Sequence, residues 1–90
     1  MVKLNDCIDI ILPNYNSEKY IKQTIKSIIN QEYKHWKLLI IDDCSNNKTK
    51  NILKKFSKNR KIKIFWLKKN RGAGFSRNYA LKRSKSPFVA

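Results

Sequence analysis

The sequence predicts an α/β fold: a Rossmann-like three-layer α/β/α arrangement whose parallel sheet is built from βαβ units. Three observations carry this. Three short apolar runs recur along the chain: CIDIIL (Cys7–Leu12), WKLLII (Trp36–Ile41) and KIKIFWL (Lys61–Leu67). Each is followed by a segment that reads as a helix, two of them with clear apolar spacing. The second run ends in four consecutive apolar residues, as a strand buried on both faces would. Strands alternating with helices in this way call for right-handed crossovers and a parallel sheet.

The elements follow in order. Cys7–Leu12 is a β-branched run that Pro13 is expected to stop, because proline cannot donate to a ladder. NYNS then offers Asn16 or Ser17 as a helix cap, with Glu18 in the first turn. In SEKYIKQTIKSIINQ, Ile21, Ile25, Ile28 and Ile29 share one helical face, and Lys19, Lys22 and Lys26 lie away from it. After the second strand, DDCSNN is a polar loop with cap candidates Ser45, Asn46 and Asn47. Ile52, Leu53 and Phe56 then mark a second helix. The third strand alternates (Ile62, Ile64, Trp66), so one face is less buried and the strand belongs near a sheet edge. KKNRGAG is a loop, and FSRNYALKRSK a third helix with Tyr79, Ala80 and Phe75 expected to face inward. SPFVA enters a fourth strand.

Composition narrows the function. The chain has 90 residues, 21 basic against 6 acidic, and a formal net charge of +15. One domain is the most this length allows. The charge favours polyanionic partners: nucleic acid, anionic lipid or a phosphorylated ligand. Seventeen of the basic residues are lysine, which binds as a point charge rather than a planar fork. No apolar run approaches the ~20 residues of a membrane span, and the first run carries Asp9, unlike a secretory signal. A strand with Cys7 at its start and a parallel neighbour with Cys44 beyond its end would hold the two thiols too far apart for a disulfide. A reducing, cytoplasmic setting is the expectation. His35 reads as a polar loop residue, and one histidine with two distant cysteines makes no metal site.

Open parallel sheets bind ligands outside the carboxyl ends of their strands. Three polar loops converge there: PNYN, DDCSNN and NRGAG. A dinucleotide site needs a glycine-rich turn after the first strand, and PNYNSE holds no glycine. A P-loop is absent as well. Taken singly, Asp42 and Asp43 are a common capping turn, Tyr15 a packing residue and Arg77 a surface residue. Their placement on one predicted rim points to a ligand site.

The segment DIILPNYNSEKYIKQTIKSIINQEYKHWKLLIIDDCSNNKT, with NRGAGFSRNYAL, resembles the N-terminal part of family 2 glycosyltransferases of the type A fold. The resemblance spans residues 8–90. It rests on Pro13, Tyr15 and Asn16 after the first strand, on Asp42, Asp43 and Ser45 after the second, and on Asn70, Gly72, Arg77 and Asn78 after the third. It implies an enzyme that transfers a sugar from a nucleotide diphosphate sugar, usually a UDP-sugar, with inversion. Pro13, Tyr15 and Asn16 would shape the nucleoside pocket. Asp43 would accept a hydrogen bond from the base, typically the uracil N3–H, a charge-assisted contact of about 1.5–3 kcal/mol. Arg71 and Arg77 would approach the base or the diphosphate, where a guanidinium can bind two oxygens at once. Asp42 is expected to be structural; Glu18 and Asn70 are open between structure and ligand.

The resemblance also implies a divalent metal, Mn or Mg, held by an Asp-x-Asp motif that lies beyond PFVA in the family. Residues 1–90 are therefore expected to form a truncated nucleotide-sugar-binding domain, without the metal motif or catalytic base, that binds no metal and is inactive alone. Its fourth strand would leave an unpaired edge and favour self-association. Cys44 stands where the family has glycine, and a turn needing positive φ there would be strained by it. Two partner readings accompany this one. An anionic membrane surface at the cytoplasmic face would explain the charge. A basic nucleic-acid or interaction module could use Lys68, Lys69, Arg71, Arg77, Lys82 and Arg83, but no stacking row of aromatics supports it.

Overall fold

The computed structural model describes residues 7–86 and 88–89, the last two by backbone alone. Element order is β1 (Ile8–Asn14), α1 (Ile21–Ile29), β2 (Trp36–Asp42), α2 (Asn47–Phe56), β3 (Ile62–Trp66), α3 (Ala73–Arg83) and β4 (Phe88–Val89). The sheet is parallel, in the order β3-β2-β1-β4. Two crossovers carry the chain outward from β1 to β2 to β3. The third returns over the sheet and seats β4 beyond β1. With right-handed crossovers, that reversal forces α3 onto the face opposite α1 and α2. The result is the expected three-layer α/β/α arrangement, with its switch point beside β1.

The continuous apolar run in β2 is explained by this layering. Leu38 and Ile40 enter the core under α1 and α2, with Ile21, Ile25, Leu53 and Ile62. Leu39 and Ile41 enter the core under α3, with Ile11 and Ala80. Each such buried aliphatic side chain stabilises the fold by about 1.5–3 kcal/mol. β3 lies at the sheet edge as expected, with Ile62 buried, Lys63 exposed and Ile64 half-buried, but Trp66, on the same face as Ile62, is exposed at the end of the strand.

Several boundaries differ from the sequence reading. β1 does not stop at Pro13 but runs to Asn14, which pairs with Asp42. In a parallel ladder alternate residues point to alternate neighbours. Ile8 donates its N–H to His35, on the β2 side, and Asn14 accepts there from Asp43 N. Pro13 therefore faces the β4 side, away from β2, so its missing donor leaves the β1–β2 ladder intact; among the described residues the β1–β4 pairs are Ile8 with Phe88 and Asp9 with Val89. β2 extends one residue to Asp42, and β3 is shorter at both ends. α1 has Tyr20 as its N-cap with no side-chain cap bond, because the chain first makes a turn in which Ser17 O accepts from Tyr20 N and Ile21 N. Asn16, Ser17 and Glu18 are thus freed for the loops. Asn46 is the α2 cap. Phe75 is exposed, whereas Ser76 and Ala80 face the sheet.

Cys7 precedes β1 and Cys44 follows β2, at opposite ends of this pair, and both are free thiols. Among the described residues no helix is long and apolar enough to cross a membrane.

Candidate functional site

The carboxyl ends of β1, β2 and β3 carry three loops that are hydrogen-bonded to one another. Asp42 and Asp43 are neighbours with different tasks. Asp42 is fully buried. Its Oδ1 accepts from Asn14 Nδ2 at 3.2 Å and its Oδ2 from Ser45 N at 3.1 Å. Ser17 Oγ in turn donates to Asn14 Oδ1. Asp42 is structural, as expected: it ties the ends of β1 and β2 and starts the turn into α2.

Asp43 points toward the third loop. Its Oδ1 accepts from Arg71 N at 2.7 Å and its Oδ2 from Gly72 N at 2.8 Å. Asn70 Nδ2 donates to the Asp43 carbonyl at 3.4 Å. The carboxylate thus fixes the entry to α3, where Gly72 is the N-cap at φ 90°. A negative charge at that helix end is also favoured by the helix dipole. Each carboxylate oxygen has two lone pairs, so both keep acceptor capacity for a ligand.

Between Asp42 and α2 the chain turns through Cys44 at φ 61°. That is the left-handed region, costly for a residue with a Cβ, and Cys44 Sγ lies 3.5 Å from Lys68 O. Asn16 is also left-handed, at φ 46°, a conformation asparagine tolerates. Its N–H donates to Ser45 Oγ at 2.9 Å, and its Oδ1 accepts from Asn46 N at 2.7 Å. Glu18 reaches the start of α2, accepting from Thr49 Oγ1 at 3.0 Å and from Asn46 Nδ2 at 3.4 Å. Its carboxyl is held below the usual glutamate range, first by its own backbone N–H and then by the Thr49 hydroxyl; partial burial opposes this, and Asn46 and Lys48 add to it.

These bonds leave a small pocket of about 90 Å³ lined by Pro13, Asn14, Tyr15, Asp43, Ala73 and Ser76. Three sequence-predicted site residues, Pro13, Tyr15 and Asp43, meet here. Tyr15 is 52% exposed and forms a free aromatic wall. Asn16 does not line the pocket; it joins the first two loops. Arg71 is exposed, with its guanidinium 4.6 Å from the Phe75 ring centroid, and only its backbone contacts Asp43. Arg77 is exposed on α3, next in sequence to the pocket residue Ser76. Asn14 and Ser76 were missed by sequence reasoning. Asn14 was hidden by the expectation that the strand ended at Pro13. Ser76 lacked a signal beyond being a small polar residue in the first half of a helix.

The rim also bears on a metal. Of the rim carboxylates only Asp43 lines the pocket; Asp42 is fully buried and Glu18 is bonded to α2. Among the described residues no group of three or more His, Cys, Asp or Glu could hold a metal ion.

Comparison with known proteins places this geometry. The model of the family described as "Glycosyl transferase family 2" matches residues 9–90. The chain is 36% identical over 91 residues to a teichuronic acid biosynthesis glycosyltransferase, TuaG of Bacillus subtilis, which is itself assigned only putatively, covering 100% of this chain and 36% of the relative. It is 39% identical over 83 residues to the Escherichia coli UDP-Glc:α-D-GlcNAc-diphosphoundecaprenol β-1,3-glucosyltransferase WfgD, covering 92% of this chain and 32% of the relative. Among solved structures, residues 1–349 of Staphylococcus aureus TarS in complex with UDP-GlcNAc superpose with a TM-score of 0.83 at 35% identity, over 91% of this chain and 24% of that one. A Pyrobaculum calidifontis mannosyltransferase, solved with GDP-Man and Mn²⁺, matches at TM-score 0.82 and 20% identity, covering 91% of this chain and 25% of that one, a likeness of fold alone. The chain spans about a third of the length of these curated relatives.

Proposed function

The chain belongs to glycosyl transferase family 2, and from that premise we propose that its three interlocked loops form the nucleotide-recognising wall of an enzyme that transfers sugar from a UDP-sugar to an acceptor, with inversion. The observation that carries this reading is the pocket that Asp43, immobilised by the Arg71 and Gly72 amides, lines together with Tyr15 and Pro13. A uracil presents one N–H donor between two carbonyls. Asp43 supplies the acceptor for the donor. The Tyr15 ring supplies an aromatic face on which a base can stack, a contact worth about 1–3 kcal/mol. The first turn of α3 borders the pocket through Ala73 and Ser76, and Asp43 occupies its N-terminal end. Arg71 and Arg77 are proposed as the mobile cations that approach the phosphates. The relative TarS has been solved with UDP and with UDP-GlcNAc, which supports the choice of donor.

The divalent metal that the family resemblance implies for the complete enzyme would need donors outside the described residues, so no step here runs through it. The chain by itself is proposed to bind nucleotide without turnover. Its cytoplasmic placement, and self-association at the outer edge of β4, remain proposals of the same kind; β4 lies at one end of the strand order.

Titration with UDP, followed by backbone NMR, tests the reading. Saturable shifts at Tyr15, Asp43 and Ser76 that vanish in Asp43→Ala are expected. Shifts elsewhere, or a response unchanged in that variant, would refute it. Product formation from several UDP-sugars by the isolated chain would refute the absence of turnover separately.

A further inference from the structure

A second cavity lies away from the carboxyl rim. A groove of about 620 Å³ lies at the other end of the sheet, on the α3 face, where the edge strand β3 and the start of β2 run out from under the helix. Five cations line it: Lys37 from β2, Lys63 from β3, and Lys82, Arg83 and Lys85 from the end of α3 and the turn after it. All five are exposed. The one carboxylate in the lining, Asp9, is buried and already engaged. It accepts from Ser84 Oγ at 2.5 Å and from Ser86 Oγ at 2.6 Å. Asp9 therefore pins the α3–β4 turn against β1, and its single negative charge faces five cations in the groove lining.

The cations are also partly ordered. The Arg83 guanidinium stacks 3.4 Å from the Tyr79 ring centroid and donates to Tyr79 O at 3.1 Å. Lys63 Nζ sits 5.2 Å from the Phe65 ring centroid. The register aligns Lys63 with Leu39, two residues along β2 from Lys37, so both lysines rise from the same face of the sheet. The concave, cation-lined shape is complementary to a compact, multiply charged anion. It shares no lining residue with the nucleotide pocket, and Asp9 and Asn14 are five positions apart on β1, about 17 Å. The basic cluster expected from sequence is thus divided: Lys82 and Arg83 belong to this groove, and Lys68, Lys69 and Arg71 to the carboxyl rim.

We propose that this groove is a second binding site, for a ligand bearing clustered phosphate groups, either a soluble diphosphate or the headgroups of an anionic lipid. The proposal is independent of the nucleotide reading. Its test is a pair of titrations on the chain as it stands, one with inorganic pyrophosphate followed by NMR and one with phosphatidylglycerol vesicles followed by cosedimentation. In at least one arm, saturable binding should appear, with amides of Lys37, Lys63 and residues 82–86 responding in the pyrophosphate arm. The Lys63→Gln/Arg83→Gln and Lys37→Gln/Lys82→Gln double variants, at exposed positions, should each lose affinity about tenfold or more. Their thermal unfolding and their UDP response at Tyr15 and Asp43 should match the parent chain. A pyrophosphate response identifies a soluble source, and a response to vesicles alone a lipid one. No saturable binding in either arm, equal binding by the variants, or shifts reproduced by sodium chloride at the same ionic strength would overturn the site. RNA binding that outcompetes both ligands would overturn it too, in favour of a nucleic-acid surface.

Discussion

The two ends of the sheet use buried carboxylates in the same way but surround them differently. At the carboxyl end, Asp42 and Asp43 accept from backbone amides on two loops and organise a tight pocket. At the amino end, Asp9 accepts from serine hydroxyls and fixes one turn, beneath an open groove of cations. In neither place is the carboxylate held by a lysine or arginine side chain through any contact described above. A chain with so few acids uses these three as organisers of backbone and turn. The consequence is that the two ends should respond to different perturbations: the carboxyl end to loss of an acceptor, the amino end to pH and salt.

The largest effect should come from Asp42→Ala. It leaves Asn14 Nδ2 and Ser45 N without their partner in a fully buried place, at about 1–3 kcal/mol for each. Urea unfolding should show a midpoint lowered by the equivalent of about 3 kcal/mol. A loss below ~1 kcal/mol would mean that the loops hold without it. Next, Asp43→Asn should cost about 1–3 kcal/mol, because its amide nitrogen must face one of two backbone donors. The specific readout is faster hydrogen exchange at Gly72 and Arg71; unchanged exchange there would break the contrast between the two acidic neighbours.

The amino end should titrate. Burial alone would push the Asp9 carboxyl up, but the hydroxyls of Ser84 and Ser86 and the backbone N–H groups of Ser86 and Lys85 outweigh it and hold the group below its ordinary value. A depressed folded value stabilises the protein fully above the unfolded value of about 3.9. That contribution is lost as pH falls through the lower folded value. Glu18, in the loops of the carboxyl end, acts with the same sign, so Asp9 supplies one share of the acid slope and not all of it. Unfolding curves measured from about pH 6 down to 2 should lose part of this acid slope in Asp9→Asn, and an unchanged slope would remove Asp9 from the account. The smallest effect is a gain. Cys44→Gly relieves the left-handed strain at φ 61° but adds chain entropy, for a net stabilisation of about 0.5–1 kcal/mol. No gain would assign real weight to the thiol contact with Lys68 O.

The sequence by itself determined the layers. Apolar spacing placed Ile21, Ile25 and Leu53 on helix faces, and the unbroken LLII of β2 required cover on both sides. Periodicity is a local property, and a strand or helix must bury its apolar side wherever it lies. Turn chemistry also marked the rim, and the family motifs named Pro13, Tyr15 and Asp43. Only the tertiary structure decided which partners those residues meet. That Pro13 could stay within a strand depended on which of its two sides faces β2. That Asp43 would grip Arg71 and Gly72, 28 and 29 positions away, depended on how β3 and α3 return to β2. That Lys37, Lys63 and Arg83 would share a groove depended on a register between strands and on the face chosen by the last crossover. Hydrogen bonds and charge clusters of this kind join residues distant in the chain, and no local pattern records which distant residue a side chain will find.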